Sequence, residues 1–90
     1  MSLTEKKYGF AIGEHWVEVI GKTGLVNPEW TLLVDETQVD SQKKTGKFTL
    51  TAIVDGKEIL TEINQGNLGS VEIIVKIDGK LSQSFSGFLI

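Results

Sequence analysis

The 90-residue chain has no cysteine, no arginine, one proline and one histidine. Without cysteine, disulfides and thiolate metal sites are excluded, so packing alone must hold the fold. The same absence fits a reducing compartment. All nine basic residues are lysines and the formal net charge is −3. Arginine's planar fork, which reads phosphates and guanine edges, is missing, so nucleic acid is not an expected partner. No apolar run reaches the roughly 18 residues of a membrane span, and the N-terminus has no signal-peptide h-region. The expectation is a soluble, cytoplasmic protein with no membrane partner. Met1-Ser2-Leu3 reads as a cloning remnant.

What is present describes one small domain over residues 1–90. The apolar fraction of 40% and the charged fraction of 23% are ordinary for a globular chain and argue against disorder. The clearest stretch is Ser70–Lys80, SVEIIVKIDGK. Val71, Ile73, Val75 and Ile77 fall at spacing two and share one face of a strand. Asp78-Gly79 supplies the positive φ of a tight hairpin turn.

The same grammar runs through the chain. Tyr8, Phe10 and Ile12 alternate with Gly9, Ala11 and Gly13. In His15–Ile20, Val17 and Val19 oppose Trp16, Glu18 and Ile20. Trp30, Leu32 and Val34 share a face in Glu29–Asp35, and Thr37–Ser41 is a polar strand. Phe48, Leu50, Ala52 and Val54 oppose Lys47, Thr49, Thr51 and Ile53. Asp55-Gly56 then turns into Lys57–Ile63, and Lys80–Leu89 closes the chain with serines on one face. Lys43 and Lys44 beside the polar strand mark a guarded sheet edge. These segments predict an all-β fold: a compact antiparallel β-sandwich of about eight short strands joined mainly by hairpins. Phe10, Val19, Trp30, Leu32, Leu50, Ile59, Val71, Ile73, Val75 and Phe85 are the expected core. The turns echo one another in LLVDETQV, AIVDGKEI and VKIDGKLS, through convergence on hairpin grammar or through duplication of a hairpin unit.

Catalytic and ligand motifs are missing. His15 lies near Glu14 and Glu18, but on a strand those two share a face that His15 does not, so it reads as structural or solvent-facing rather than a metal ligand. No G-x-S-x-G elbow accompanies it. GKTG at Gly21–Gly24 lacks the upstream glycine of a phosphate-binding loop. No catalytic residue, cofactor or metal is therefore expected. Trp30 is in register with Leu32 and Val34 and belongs to the core, whereas Trp16 is either core or an exposed stacking platform.

Taken together, YGFAIGEHWVEV at Tyr8–Val19, the G-K-x-G connection, WTLLVD at Trp30–Asp35 and VEIIVKIDGKLSQSF at Val71–Phe85 resemble the Fas apoptotic inhibitory molecule family. The resemblance covers most of the chain. It implies a compact β-sandwich domain that is cytosolic and non-enzymatic. The family's association with resistance to death-receptor signalling and with protection against aggregation comes with it. Usually two such domains stand in tandem, and here there is one. The alternative is an immunoglobulin-like or carbohydrate-binding module of a larger or secreted protein. A dry core holding both tryptophans is expected of the first reading, and an aromatic platform in a groove of the second.

With chemistry absent, function falls to surfaces. The Gly21–Pro28 segment is the longest irregular piece and carries Lys22 beside the apolar Leu25 and Val26. Those two either plug the sandwich end or meet a partner. Phe88 and Leu89 make the last strand apolar at its end. Binding to a protein partner, or weak self-association, is expected through this loop or the last strand.

Overall fold

A computed structural model describes residues 5–23, 27–66 and 69–88. They form eight strands: β1 (Glu5–Ile12), β2 (His15–Lys22), β3 (Glu29–Val34), β4 (Thr37–Lys43), β5 (Gly46–Val54), β6 (Lys57–Gln65), β7 (Ser70–Ile77) and β8 (Lys80–Phe88). Two four-stranded antiparallel sheets result, β1-β2-β3-β4 and β5-β6-β7-β8, each a simple meander. The expected sandwich is therefore the observed fold.

Local chemistry explains the hairpins. Asp35-Glu36, Asp55-Gly56 and Asp78-Gly79 all place both central residues at positive φ, between 49° and 82°. That twist matches the twist of the flanking strands. Glycine adopts it freely at the second position of two turns, whereas Glu36 holds φ 68° against the side-chain clash that disfavours this region.

Each meander also repeats one device. The Asp35 amide donates to the Trp16 carbonyl (2.8 Å), while Asp35 Oδ1 accepts from the Trp16 amide (2.9 Å). Asp78 does the same with Glu58, at 2.8 and 2.9 Å. The echo seen in the turns thus extends to matching hydrogen bonds in the two halves.

The inner faces bury Phe10, Ile12, Val17, Val19, Trp30 and Leu32 from the first sheet against Phe48, Leu50, Ala52, Val54, Ile59, Ile63, Val71, Ile73 and Val75 from the second. Nine of the ten expected core residues are buried. Phe85 is partly covered and packs against Tyr8 and Phe10, with ring centroids 5.5 and 6.2 Å apart. Trp30 is the largest fully buried side chain. Its ring lies where a Cβ on Gly21 would stand, within 2.6 Å, so the glycine opposite it in the ladder makes room for the indole. Its Nε1–H donates to Gln65 Oε1 at 3.0 Å, a buried bond between the sheets.

Several boundaries differ from the sequence reading: β1 begins at Glu5, ahead of Tyr8, and β2 continues through Gly21 and Lys22, which the sequence placed in the irregular Gly21–Pro28 segment. The polar strand continues to Lys43, and β6 continues to Gln65. In both cases an inward-pointing glutamine extends the strand. Apolar alternation could not show this, because the inward-facing groups are polar, Gln65 buried and Gln42 partly so.

One core position is out of character. Thr61 is fully buried, and its hydroxyl has no hydrogen-bond partner among the described residues. An unmade bond in an apolar core costs about 1–3 kcal/mol. Thr61→Val keeps the shape and removes the hydroxyl. Chemical denaturation should show a gain of about 1 kcal/mol, and a loss of that size would mean the hydroxyl is satisfied.

Candidate functional site

The meander order places the turns after β1 and β3 at one end of the first sheet, and those after β5 and β7 at one end of the second. His15 joins these ends. It opens β2, one residue past the Gly13-Glu14 turn. Its Nδ1 lies 2.6 Å from Asp35 Oδ2, in its own sheet, and its Nε2 lies 3.0 Å from Asp55 Oδ1, in the other. The residues are 20 and 40 positions apart. From the sequence His15, near Glu14 and Glu18, reads as structural or solvent-facing with no convincing base or metal companion, and Asp35 and Asp55 stand at turns. They are turn residues that also clamp the imidazole. The signal available was topological: consecutive hairpins in two packed meanders bring their turns to one end.

Both ring nitrogens face a carboxylate oxygen. A neutral ring has one N–H, so one carboxylate would then meet a lone pair, whereas the imidazolium satisfies both. Hydrogen bonds to Asp35 and then Asp55, with attraction from both carboxylates, raise the pKa of His15 above its ordinary value. The bond from His15 and that from the Trp16 amide hold Asp35 below the usual carboxylate range. The three side chains are partly exposed, so solvent screens the clamp. With both nitrogens engaged, neither is left to take a proton from a substrate. Among the described residues, no group of three or more His, Asp or Glu side chains is arranged to hold a metal ion.

The expected interaction residues are dispersed. Lys22 ends β2, is exposed, and places Nζ 3.7 Å from Glu5 Oε2 on the neighbouring β1. Phe88 ends β8, its backbone in register with Ser70. Leu25, Val26 and Leu89 lie outside the described residues. Trp16 is not in the core. It sits on the outer face of the first sheet, 46% exposed. Its ring covers Gly9, within 2.3 Å of where a Cβ there would stand. Trp30 is in the core as expected, and Trp16, left open between core and exposed platform, is exposed, so the dry core holding both tryptophans that the first reading expects is not found. The reason is register: alternation sends Trp16 outward once Val17 and Val19 point in.

In the β3–β4 ladder the register shifts between Leu32 and Leu33, leaving Val39 as the extra residue of a bulge on the edge strand β4. Past the bulge, Asp40 and Gln42 lie opposite the inward-facing Leu32 and Trp30. Asp40 Oδ2 accepts from the Thr51 amide and Gln42 Nε2 donates to the Thr49 carbonyl, each at 2.9 Å. Side chains of one edge strand thereby occupy backbone groups of the other. Across the sandwich, β1 carries three charged residues at its start, Glu5, Lys6 and Lys7. The remaining edge, β8, has a single charge, Lys80 at its first position. No backbone hydrogen bond among the described residues joins it to β1.

The geometry defines an all-β sandwich in which the edges β4 and β5 are linked by side-chain bonds, while no backbone hydrogen bond among the described residues links the edges β1 and β8. Comparison with family models, with curated proteins and with solved structures finds no match. Among the described residues no helix is long and apolar enough to cross a membrane.

The clamp has a pH signature. A raised histidine pKa contributes stability that is fully present below its unfolded value, about 6.5, and is lost as pH rises through the higher folded value. The lowered Asp35 contributes above about 4 and loses its contribution as pH falls through its folded value. The clamp is therefore at full strength between about pH 4 and 6.5. The difference in Tm between wild type and His15→Gln should be widest in that window and should shrink in alkali. A difference that stays flat from mild acid into alkali would sink this account.

Proposed function

We propose that this domain is a non-enzymatic protein-interaction module, and that a partner's extended segment adds to the sheet along β8. The observation that carries the reading is the contrast between edges. β5 has its middle backbone groups occupied by Asp40 and Gln42, β4 carries the bulge and Lys43, and β1 begins with three charges. β8 has a bulge of its own at Ser82, where the register shifts between Val75 and Lys76, but from Gln83 to Phe88 it carries no charge. A long uncharged edge is where strand addition occurs.

This is also the kind of role implied by the resemblance to the Fas apoptotic inhibitory molecule family. That role is a cytoplasmic regulator of death-receptor signalling, or a protector against aggregation. Capture of exposed strands is the physical form such protection would take. Ser84 and Ser86 point outward and are exposed, so Ser84→Lys with Ser86→Lys guards the edge without touching the core. Partner proteins held by wild type should be released by this variant and kept by Thr51→Lys with Ile53→Lys, which adds the same charge to the opposite edge strand. Equal release by both variants would show bulk charge at work and remove β8 from consideration.

One observation favours a second reading, a sugar-binding module. The half-exposed Trp16 ring lies on Gly9, with the exposed Ala11 opposite Trp16 in the ladder. A flat aromatic face of this kind stacks on the C–H face of a pyranose. Trp16 would then show a saturable change in fluorescence with oligosaccharide, absent in Trp16→Ala. No change across a panel of neutral and acidic oligosaccharides would dismiss it.

A further inference from the structure

We propose that the segment pairing with β8 is β8 of a second copy of this chain. The joint would be an antiparallel, two-fold one that unites β5-β6-β7-β8 with its symmetry mate in a continuous eight-stranded sheet. The proposal rests on the reading of β8 as the binding edge and names its occupant.

Self-complementarity is the first argument. A closed dimer brings one surface patch against itself about a two-fold axis, and an antiparallel strand pair has that symmetry. β8 pairs with itself without electrostatic conflict. Its only charge is Lys80 at one end, so two copies in antiparallel register centred near Ser84 carry their lysines to opposite ends of the joint. Eight residues of strand separate them, roughly 26 Å at the rise of about 3.3 Å per residue, well beyond the screening length of about 8 Å in physiological salt. Pairing of β8 with β1 of another copy would be head-to-tail. It would set Glu5, Lys6 and Lys7 along the joint and would build a ring or an open fibre rather than an isologous pair.

Side chains agree with the two-fold arrangement. The outward row of β8, Ser84 and Ser86, offers small hydroxyl-bearing residues that pair across strands. Phe85 points to the inner face but is only partly covered, by Tyr8 and Phe10, and a second copy supplies more cover. On the outer face Leu81, 69% exposed, lies opposite Lys76, which is two residues along β7 from the half-buried Ile74. A strand added beside β8 takes part of Leu81 out of water. One strand joint covers less surface than the 1,200–2,000 Å² or so of a stable interface, so the dimer is weak and concentration-dependent.

Sedimentation velocity over a series from low micromolar to millimolar reads it directly. Wild-type mass should rise towards twice that of the monomer. The Ser84→Lys, Ser86→Lys double variant should stay monomeric with an unchanged circular dichroism spectrum. Ser84→Cys, near the axis, should form a covalent dimer under mild oxidation. Thr51→Cys, on the far edge strand of the same sheet, should not. A wild type that remains monomeric at the highest concentration overturns the proposal, as does a dimer that the lysines leave intact or equal cross-linking from both cysteines. If the wild type is monomeric while capture of partner proteins still depends on β8, the second-copy proposal falls and the binding-edge reading stands.

Discussion

The loop end of the sandwich depends on the seating of Trp30. An indole this large fits between two sheets about 10 Å apart only where a neighbouring residue gives up its side chain, and Gly21 does so. The indole N–H then needs a partner, because an unpaired donor in the core costs more than a made bond returns. Gln65 meets that need from the other sheet, and this ties the end of β6 to the start of β3. The opposite end is tied differently. There His15 spans two carboxylates at the partly exposed surface, where the link is ionic, screened and dependent on pH. The apolar core lies between a dry staple and a wet one.

Each sheet has two edges, and the chain treats them unequally. The bulge at Val39 changes which side chains face inward, so that Asp40 and Gln42 point toward β5. An inward-pointing charge is a known device for blocking edge pairing, and here it also satisfies a strand that would otherwise lie open. A polar strand that looked like mere solvent exposure is thus the seal of the sandwich. The same comparison leaves the stretch of β8 past its bulge at Ser82 without a charged residue. That contrast, rather than any pocket, is what points to a surface on which another chain can act.

The two halves share strand order, turn chemistry and the Asp-to-backbone device of Asp35 and Asp78. They differ at particular positions. Gly21 and Trp30 have Ile63 and Ile73 near the corresponding places, so the first sheet carries the large aromatic. The residue after the first hairpin turn is His15, and after the Asp55-Gly56 turn it is Lys57. Only the imidazole has two nitrogens set apart for two carboxylates, so the clamp belongs to one half.

What the sequence determined by itself was local. Alternation at spacing two decided which residues face inward, since a strand's side chains have no other periodicity. Asp-Gly pairs decided where the chain reverses, because few residues tolerate positive φ. Strand order followed from short connections, and with it the β-sandwich. The residues carrying the family resemblance serve the same turns and inner faces. Tertiary structure decided everything that joins one sheet to the other. His15 meets Asp35 and Asp55 across 20 and 40 residues, Trp30 meets Gln65 across 35, and Asp40 meets Thr51 across a bulge. These bonds depend on how two finished sheets sit on each other, and a pattern with a period of two residues has no memory at that range. The outward turn of Trp16 and the open edge at β8 belong to the same class. Each is a statement about neighbours that only the packed fold supplies.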